Sequence, residues 1–374
     1  MRVLVNAGPW LEVPPPGYGG IENVVATLVP CLRERGVSVV LASVGTSTLE
    51  VDELITAYDE GQFTELQKPY NQVMGIAHAH QARVAAELRS RDDIDLVHDH
   101  LEVVGPGVLS ALGGPPVLHT LHWDLHKHPE FYGAFPPSIA VNGVSESQLA
   151  RAPEALRAAS LGAVYLATPL ADRDLRVDRG EHLVVMGRIC GLKGQHVAAR
   201  ICQKLGLPLV LAGPVCGRDT AAELDVVTQN PYHPLHSHPD VRYHLDQVSR
   251  YLDEELVRWV GAVGGAARDH LYATARAALF PIQWDEPGGT AVVEALALGV
   301  PPVGLRRGCL PEIIEHGRTG FLADTEEELA EWVLRVDELD PEECRREARR
   351  RFSPSVMADR YLELYERVVD GSRG

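Results

Sequence analysis

Arg188 and Lys193 stand five residues apart in Met186-Gly187-Arg188-Ile189-Cys190-Gly191-Leu192-Lys193-Gly194. Two cations on a glycine-bearing stretch could grip a diphosphate, the arginine as a planar fork and the lysine as a point charge. Solvated charges on a loop would read the same way. Glu286 and Glu294 lie eight apart in Glu286-Pro287-Gly288-Gly289-Thr290-Ala291-Val292-Val293-Glu294. Glu294 is the only charge from Ala291 to Leu298, and a buried carboxylate is costly unless something donates hydrogen bonds to it. Sugar hydroxyls would supply such donors; alternatively Thr290 and Glu294, one turn apart, mark the wet face of a helix. Gly288, Gly289 and Thr290 sit where that helix should open, a place whose free N–H groups and dipole favour an anion. Gly17-Tyr18-Gly19-Gly20-Ile21-Glu22 has the same character, and a flexible loop with a plain N-cap explains it equally. His122, in Leu118-His119-Thr120-Leu121-His122-Trp123-Asp124, has the side chain for proton transfer or polar contact near neutral pH, or for a structural role.

These residues need elements to place them. Val3 to Val5, Val37 to Leu41, Leu96 to Val97 and Val117 to Leu118 are strand-like, and 20–35, 72–90 and 145–159 have helical spacing. The alternation returns after about residue 180: a strand to Met186, a helix over 193–205, strands over 208–212, 257–260 and 278–282, a helix over 289–298 and a strand over 301–304. Strand and helix in alternation predict α/β, doubly wound parallel sheets. In such sheets ligands sit beyond the carboxyl ends of the strands. All four candidate stretches leave strands there.

At 374 residues the chain exceeds one comfortable core, so two domains are expected, 1–168 and 169–353. Residues 354–369 carry an amphipathic stripe, Val356, Met357, Tyr361, Leu362, Leu364 and Tyr365, that needs a surface to cover. A net charge of -17 repels nucleic acid and anionic lipid. Local phosphate binding by a few N–H groups survives that field. The six cysteines include no C-x-x-C pair and predict reduced thiols in a cytoplasmic protein. No apolar run is long enough for a membrane span, and Pro9 interrupts the first strand before a signal-peptide core could form.

In this order the motifs resemble the family 4 retaining glycosyltransferases of GT-B fold. The match rests on Gly17 to Glu22, Leu-Val-His-Asp-His at 96–100, Thr-Leu-His at 120–122, Val-Ser-Glu-Ser at 144–147, Gly-Arg with Lys-Gly at 187–194 and Glu-x7-Glu at 286–294. It continues through Pro311-Glu312-Ile313-Ile314 and Gly317 to Phe321. The resemblance implies two Rossmann-like domains facing a central cleft, with the last helix, 354–374, crossing back to an acceptor-side N-terminal domain. It implies a nucleoside diphosphate sugar as donor, with Arg188 and Lys193 on its pyrophosphate and Glu294 on the ribose. Glu286 would contact the transferred sugar, and Gly288, Gly289 and Thr290 the sugar and phosphate. Gly19 and Gly20 would also face the donor, and His122 would line the reaction centre. Where relatives have Phe-Gly after the first glutamate this chain has Pro287-Gly288-Gly289-Thr290, a variant similar to the avilamycin-pathway type that implies antibiotic or other natural-product assembly. Leu166-Ala167-Thr168-Pro169 replaces the usual interdomain Asn-Gly pattern.

The expectation is therefore a retaining transferase, catalytic through His122, Glu286, Arg188 and Lys193, with a small soluble acceptor. Neither cofactor nor metal is expected, nor nucleic-acid or membrane contact. A nucleotide-sugar-binding subunit without catalysis is one alternative. A metal-dependent hydrolase is another, using His98-Asp99-His100 or His233, His236, His238 and His244; solvated loop histidines would explain the second cluster. Arg345 to Arg351 read as a solvated helix face.

Overall fold

The computed structural model describes residues 1–371 apart from Tyr18 and Glu254, and only the backbone of Gln67 and Tyr70. The chain forms two compact units, Met1–Ala167 with Pro354–Gly374, and Thr168–Ser353.

The first unit is built on seven parallel strands: β1 (Arg2–Asn6), β2 (Ser38–Ser43), β3 (Glu53–Thr56), β4 (Leu96–Asp99), β5 (Val117–Leu121), β6 (Ile139–Gly143) and β7 (Ser160–Ala163). Their order is β3-β2-β1-β4-β5-β6-β7. Val3, Leu4 and Val5 are fully buried, as expected of a parallel strand covered on both faces, which needs an unbroken apolar run. The order reverses at β1, which pairs β2 on one side and β4 on the other. The loops leaving β1 and β4 therefore diverge at a topological switch point. The segment 145–159 is two short helices, Glu146–Ala150 and Glu154–Ala158, where one was expected. Pro153 is the reason: it lacks an N–H and starts the second helix as its N-cap.

The helix Pro354–Gly371 packs on this unit. Met357, Ala358, Tyr361, Leu364, Tyr365 and Val368 are its buried stripe, lying with Val25, Leu28 and Leu32 of helix Ile21–Glu34 in one core. Its two tyrosine hydroxyls reach the sheet, where the hydrogen bonds can be followed proton by proton. Thr120 Oγ1 donates to Asn142 Oδ1 at 2.8 Å, so it must accept from His98 Nε2–H, also at 2.8 Å. His98 Nδ1 then carries a lone pair and accepts from the Tyr365 hydroxyl at 2.7 Å. Buried polar groups are satisfied here by one consistent chain.

The second unit holds six parallel strands: β8 (Leu183–Met186), β9 (Leu209–Ala212), β10 (Val257–Trp259), β11 (Ala277–Phe280), β12 (Pro302–Leu305) and β13 (Phe321–Ala323). Their order is β10-β9-β8-β11-β12-β13, so the switch point lies between β8 and β11, with Ala277 beside Leu183. Helix Pro341–Phe352 corrects one expectation. Arg345 is buried, and its guanidinium donates to Glu342 at 2.6 Å and to the Leu298 carbonyl at 2.9 Å. The arginine run is thus only partly a wet face, because Arg345 holds the end of helix Thr290–Ala297.

Candidate functional site

Strand order in the second unit brings together loops that are far apart in sequence. Residues 187–194 leave β8 and residues 281–289 leave β11, and these strands are neighbours at the switch point. A pocket there is lined by Met186, Lys193, Phe280, Glu286, Gly289 and Ala291. Lys193 Nζ lies 2.6 Å from Glu286 Oε2, and Trp284 Nε1 donates to the same oxygen at 3.0 Å. Helix Thr290–Ala297 starts beside them, and Gly289, its N-cap, contributes no side-chain hydrogen bond to the first turn. That leaves first-turn N–H groups for an anion.

Two glycines are required by this packing. Gly289 has φ +63°, and a Cβ there would lie 2.7 Å from Ile313 Cδ1 and 2.9 Å from Cys309 Sγ. At Gly194, φ is +69° and a Cβ would lie 2.0 Å from the Pro281 carbonyl oxygen. Both positions need a left-handed conformation and a close backbone approach, which only glycine tolerates well. Gln195, which nothing local had singled out, pins the first loop by donating to the Arg188 carbonyl at 2.9 Å. Arg188 itself is exposed, with Asp240 its carboxylate neighbour at 3.8 Å. Gly288 is buried and Thr290 exposed.

Glu294 is largely enclosed, as its apolar neighbours imply, but a hydrogen-bond donor is already present in the chain. Arg268, on helix Gly265–Ala273, holds its carboxylate in an ion pair. Burial still pushes the Glu294 carboxyl up from its ordinary value, with Arg268 opposing. The reading that sugar hydroxyls supply the donors is corrected to this extent. No local pattern marks Arg268, since its meaning depends on a partner in a different helix.

Gly19, Gly20 and His122 belong to the first unit. Gly20 is exposed at the start of helix Ile21–Glu34 and Gly19 is buried; Tyr18 of the same motif lies outside the described residues. The next acidic residue, Glu22, is buried, and burial raises its carboxyl from 4.5 to about 7. Between those values the folded state holds a proton that the unfolded chain has lost, so this group's contribution falls as pH rises. Glu22→Gln is expected to match wild type near pH 4.5 and to be more stable by about 3 kcal/mol at pH 8. Urea midpoints at pH 5 and pH 8 check this; a gap that does not widen with pH refutes it.

His122 is partly buried, its Nε2 2.8 Å from His100 Nδ1. Burial, aided by the His119 imidazole, lowers His122 to about 3, and burial among neighbouring imidazoles holds His100 well below its ordinary value. The other members of the strand-end motif are also internal: His119 Nδ1–H donates to Asp99 at 2.6 Å, and Asn6 donates to the other Asp99 oxygen at 2.7 Å. Among the described residues, no three His, Cys, Asp or Glu side chains are grouped to hold a metal. His233 and His238 accept backbone N–H bonds from Leu235 and Asp240. His244 is buried against Trp259, ring centroids 5.2 Å apart, which corrects its reading as a solvated loop residue.

Residues 18–152 match Glycosyltransferase Family 4 and residues 172–354 match Glycosyl transferases group 1. The chain belongs to the family 4 glycosyltransferases. AviGT4, a glycosyltransferase involved in avilamycin A biosynthesis, is similar over 99% of this chain and 98% of its own, with TM-score 0.67 and 28% identity. Sucrose-phosphate synthase of Thermosynechococcus elongatus shares the fold at TM-score 0.71 and 17% identity, over 99% of this chain and all of its own. The D-inositol 3-phosphate glycosyltransferase of Pseudarthrobacter chlorophenolicus is 28% identical over 84% of this chain and 80% of its own. Spore coat protein SA of Bacillus subtilis is 27% identical, but over only 36% of this chain and 42% of its own. The glycosyltransferase has the GT-B fold, with two parallel-sheet Rossmann-like domains. No helix among its described residues is long and apolar enough to cross a membrane.

Proposed function

We propose that this glycosyltransferase moves a hexose from a nucleoside diphosphate sugar to a small soluble acceptor, with retention at the anomeric carbon and without a metal. The observation that carries the donor assignment is the meeting of Lys193 and Glu286 beside the opening of helix Thr290–Ala297, at the switch point of the second sheet. A cation, a run of backbone N–H groups and an accepting carboxylate are what a sugar bound to a diphosphate needs. Arg188, exposed on the adjoining loop, supplies a second cation. Glu294 accepts from the ribose hydroxyls with Arg268 as its counter-ion, Glu286 meets the sugar, and Gly288 to Thr290 approach sugar and phosphate. Gly19, Gly20 and His122 serve from the acceptor-side unit.

In the transfer the bond between the anomeric carbon and the leaving phosphate oxygen breaks, and the acceptor oxygen bonds to that carbon on the same face. The acceptor's proton passes to the departing diphosphate, so no protein base is required. Stabilising the charge that develops on the leaving group then becomes the main catalytic contribution. The avilamycin-pathway role of AviGT4 supports a natural-product acceptor.

Thermal unfolding against uridine, guanosine, adenosine and thymidine diphosphate sugars tests the donor. A ligand at a hundredfold its dissociation constant adds about 2.7 kcal/mol, and a shift of a few degrees with one nucleotide is expected. Nucleoside diphosphate release that depends on an acceptor and survives EDTA, with an unchanged anomeric configuration by proton NMR, completes the case. A folded protein that shifts with no donor, or a product of inverted configuration, overturns it.

A further inference from the structure

We propose that His100 is a positioning residue that fixes His122 as its Nδ1–H tautomer, so that His122 offers a hydrogen-bond donor and no basic lone pair toward the reaction centre. This rests on His122 lining that centre, as the family resemblance implies. The two rings share a single hydrogen bond, His100 Nδ1 to His122 Nε2 at 2.8 Å, with centroids 5.1 Å apart and planes 28° from parallel. Both imidazoles are held neutral, so each carries one proton and only one of them can lie between the rings. Two arrangements remain.

In the first, His122 Nε2–H donates to His100 Nδ1, which forces the His100 proton onto Nε2. That atom is buried and has no partner, so an N–H would be orphaned in the interior. In the second, His100 Nδ1–H donates to His122 Nε2, and what is left without a partner at His100 is a lone pair. Leaving either kind unmade costs about 1–3 kcal/mol; among buried backbone groups the orphaned N–H is the rarer defect, and the imidazole pair is assigned by the same preference. The second arrangement is favoured, and it places the remaining His122 proton on Nδ1. Among the described residues Nδ1 has no hydrogen-bond partner in the chain, and it is not one of the buried orphans. It is thus free to donate to a ligand hydroxyl or phosphate oxygen.

Packing holds the His100 ring in place beside His122. It lies 4.0 Å from the His98 ring, centroid to centroid, and His98 is held at both nitrogens, by Thr120 and by Tyr365. The His98-Asp99-His100 run, whose residue types suit metal binding, therefore does a different job. His98 anchors the stack on helix Pro354–Gly371, Asp99 holds His119, and His100 passes orientation on to His122.

The tautomer can be read without substrate. Long-range proton–nitrogen correlation spectra of histidine-labelled protein separate Nδ1–H from Nε2–H rings, and His122→Gln identifies the His122 signals by their loss. Wild type should show His122 protonated at Nδ1. His100→Asp, an acceptor at the same position, should invert the tautomer to Nε2–H. His100→Asn, which can still donate, should keep the wild-type pattern. Turnover should fall about tenfold or more in His100→Asp and stay within about threefold of wild type in His100→Asn, with KM for donor little changed in both; a tenfold change in rate corresponds to 1.36 kcal/mol. A wild-type His122 protonated at Nε2 overturns the proposal even if neither variant folds. An inverted tautomer with unchanged turnover overturns its catalytic part. Full activity in His122→Gln instead removes His122 from the reaction centre, which is a failure of the underlying reading.

Discussion

Lys193→Ala is expected to lower turnover about a hundred- to a thousandfold, the usual consequence of removing one preorganised charge-stabilising group, while leaving the protein folded. The structure explains why the two effects separate. Glu286 Oε2 is held twice, by Lys193 at 2.6 Å and by the Trp284 indole N–H at 3.0 Å. When the lysine is gone, the indole still fixes the carboxylate, and the site is open enough for water to reach it, with the lysine side chain 27% exposed. What is lost is the cation facing the pocket that Lys193, Glu286 and Gly289 line. Lys193→Arg should recover only part of the rate, because a planar fork on a longer stem does not place a point charge where the ammonium sat. Rates of nucleoside diphosphate release, measured beside calorimetric melting temperatures, decide the matter. Turnover near wild type in the alanine variant removes Lys193 from the catalytic set.

Arg268→Met should destabilise the protein by about 3 kcal/mol, the low end for breaking an enclosed ion pair, since its partner Glu294 is only 16% exposed and Arg268 25%. The penalty comes from the carboxylate left behind, and its sign with pH follows. Burial already raises the Glu294 carboxyl, and Arg268 is the chief influence lowering it. Without the arginine the group rises further, and protonation relieves the strain, so the deficit should be largest at pH 8 and shrink toward pH 5. Adding Glu294→Gln removes the charge and should restore much of the loss at pH 8. The double variant should nevertheless bind nucleotide poorly if Glu294 accepts from the ribose hydroxyls as proposed, because a neutral amide is a weaker acceptor than a carboxylate. Urea unfolding at the two pH values and calorimetric titration with nucleoside diphosphate measure both effects. A deficit that is independent of pH, or unrelieved by the second substitution, refutes the role given to the pair.

Much of the architecture is legible in the chain because it is written in short-range patterns. Val3 to Val5 and Leu183 to Val185 are unbroken apolar runs followed by glycines and a helical period, and that grammar alone predicts a parallel sheet with its loops at the carboxyl ends. Weak strands such as Glu53–Thr56, whose charged and polar ends break the apolar run, are not visible this way. Strand pairing decides whether such segments join the sheet. The single helix expected over 145–159 failed at one proline, a local rule outvoted by apolar spacing.

Fold class and the residue types of the candidate site can be read from the chain, since glycines, cations and carboxylates in loops between a strand and a helix carry their chemistry with them. Their partners are set by folding. Lys193 meets Glu286 because β8 and β11 are neighbours; Arg268 meets Glu294 across 26 residues, and Tyr365 meets His98 across 267. Partners at such separations are chosen by strand order and by which helix covers which face. A donor or acceptor on one segment is energetically meaningful only once burial has removed water as its alternative.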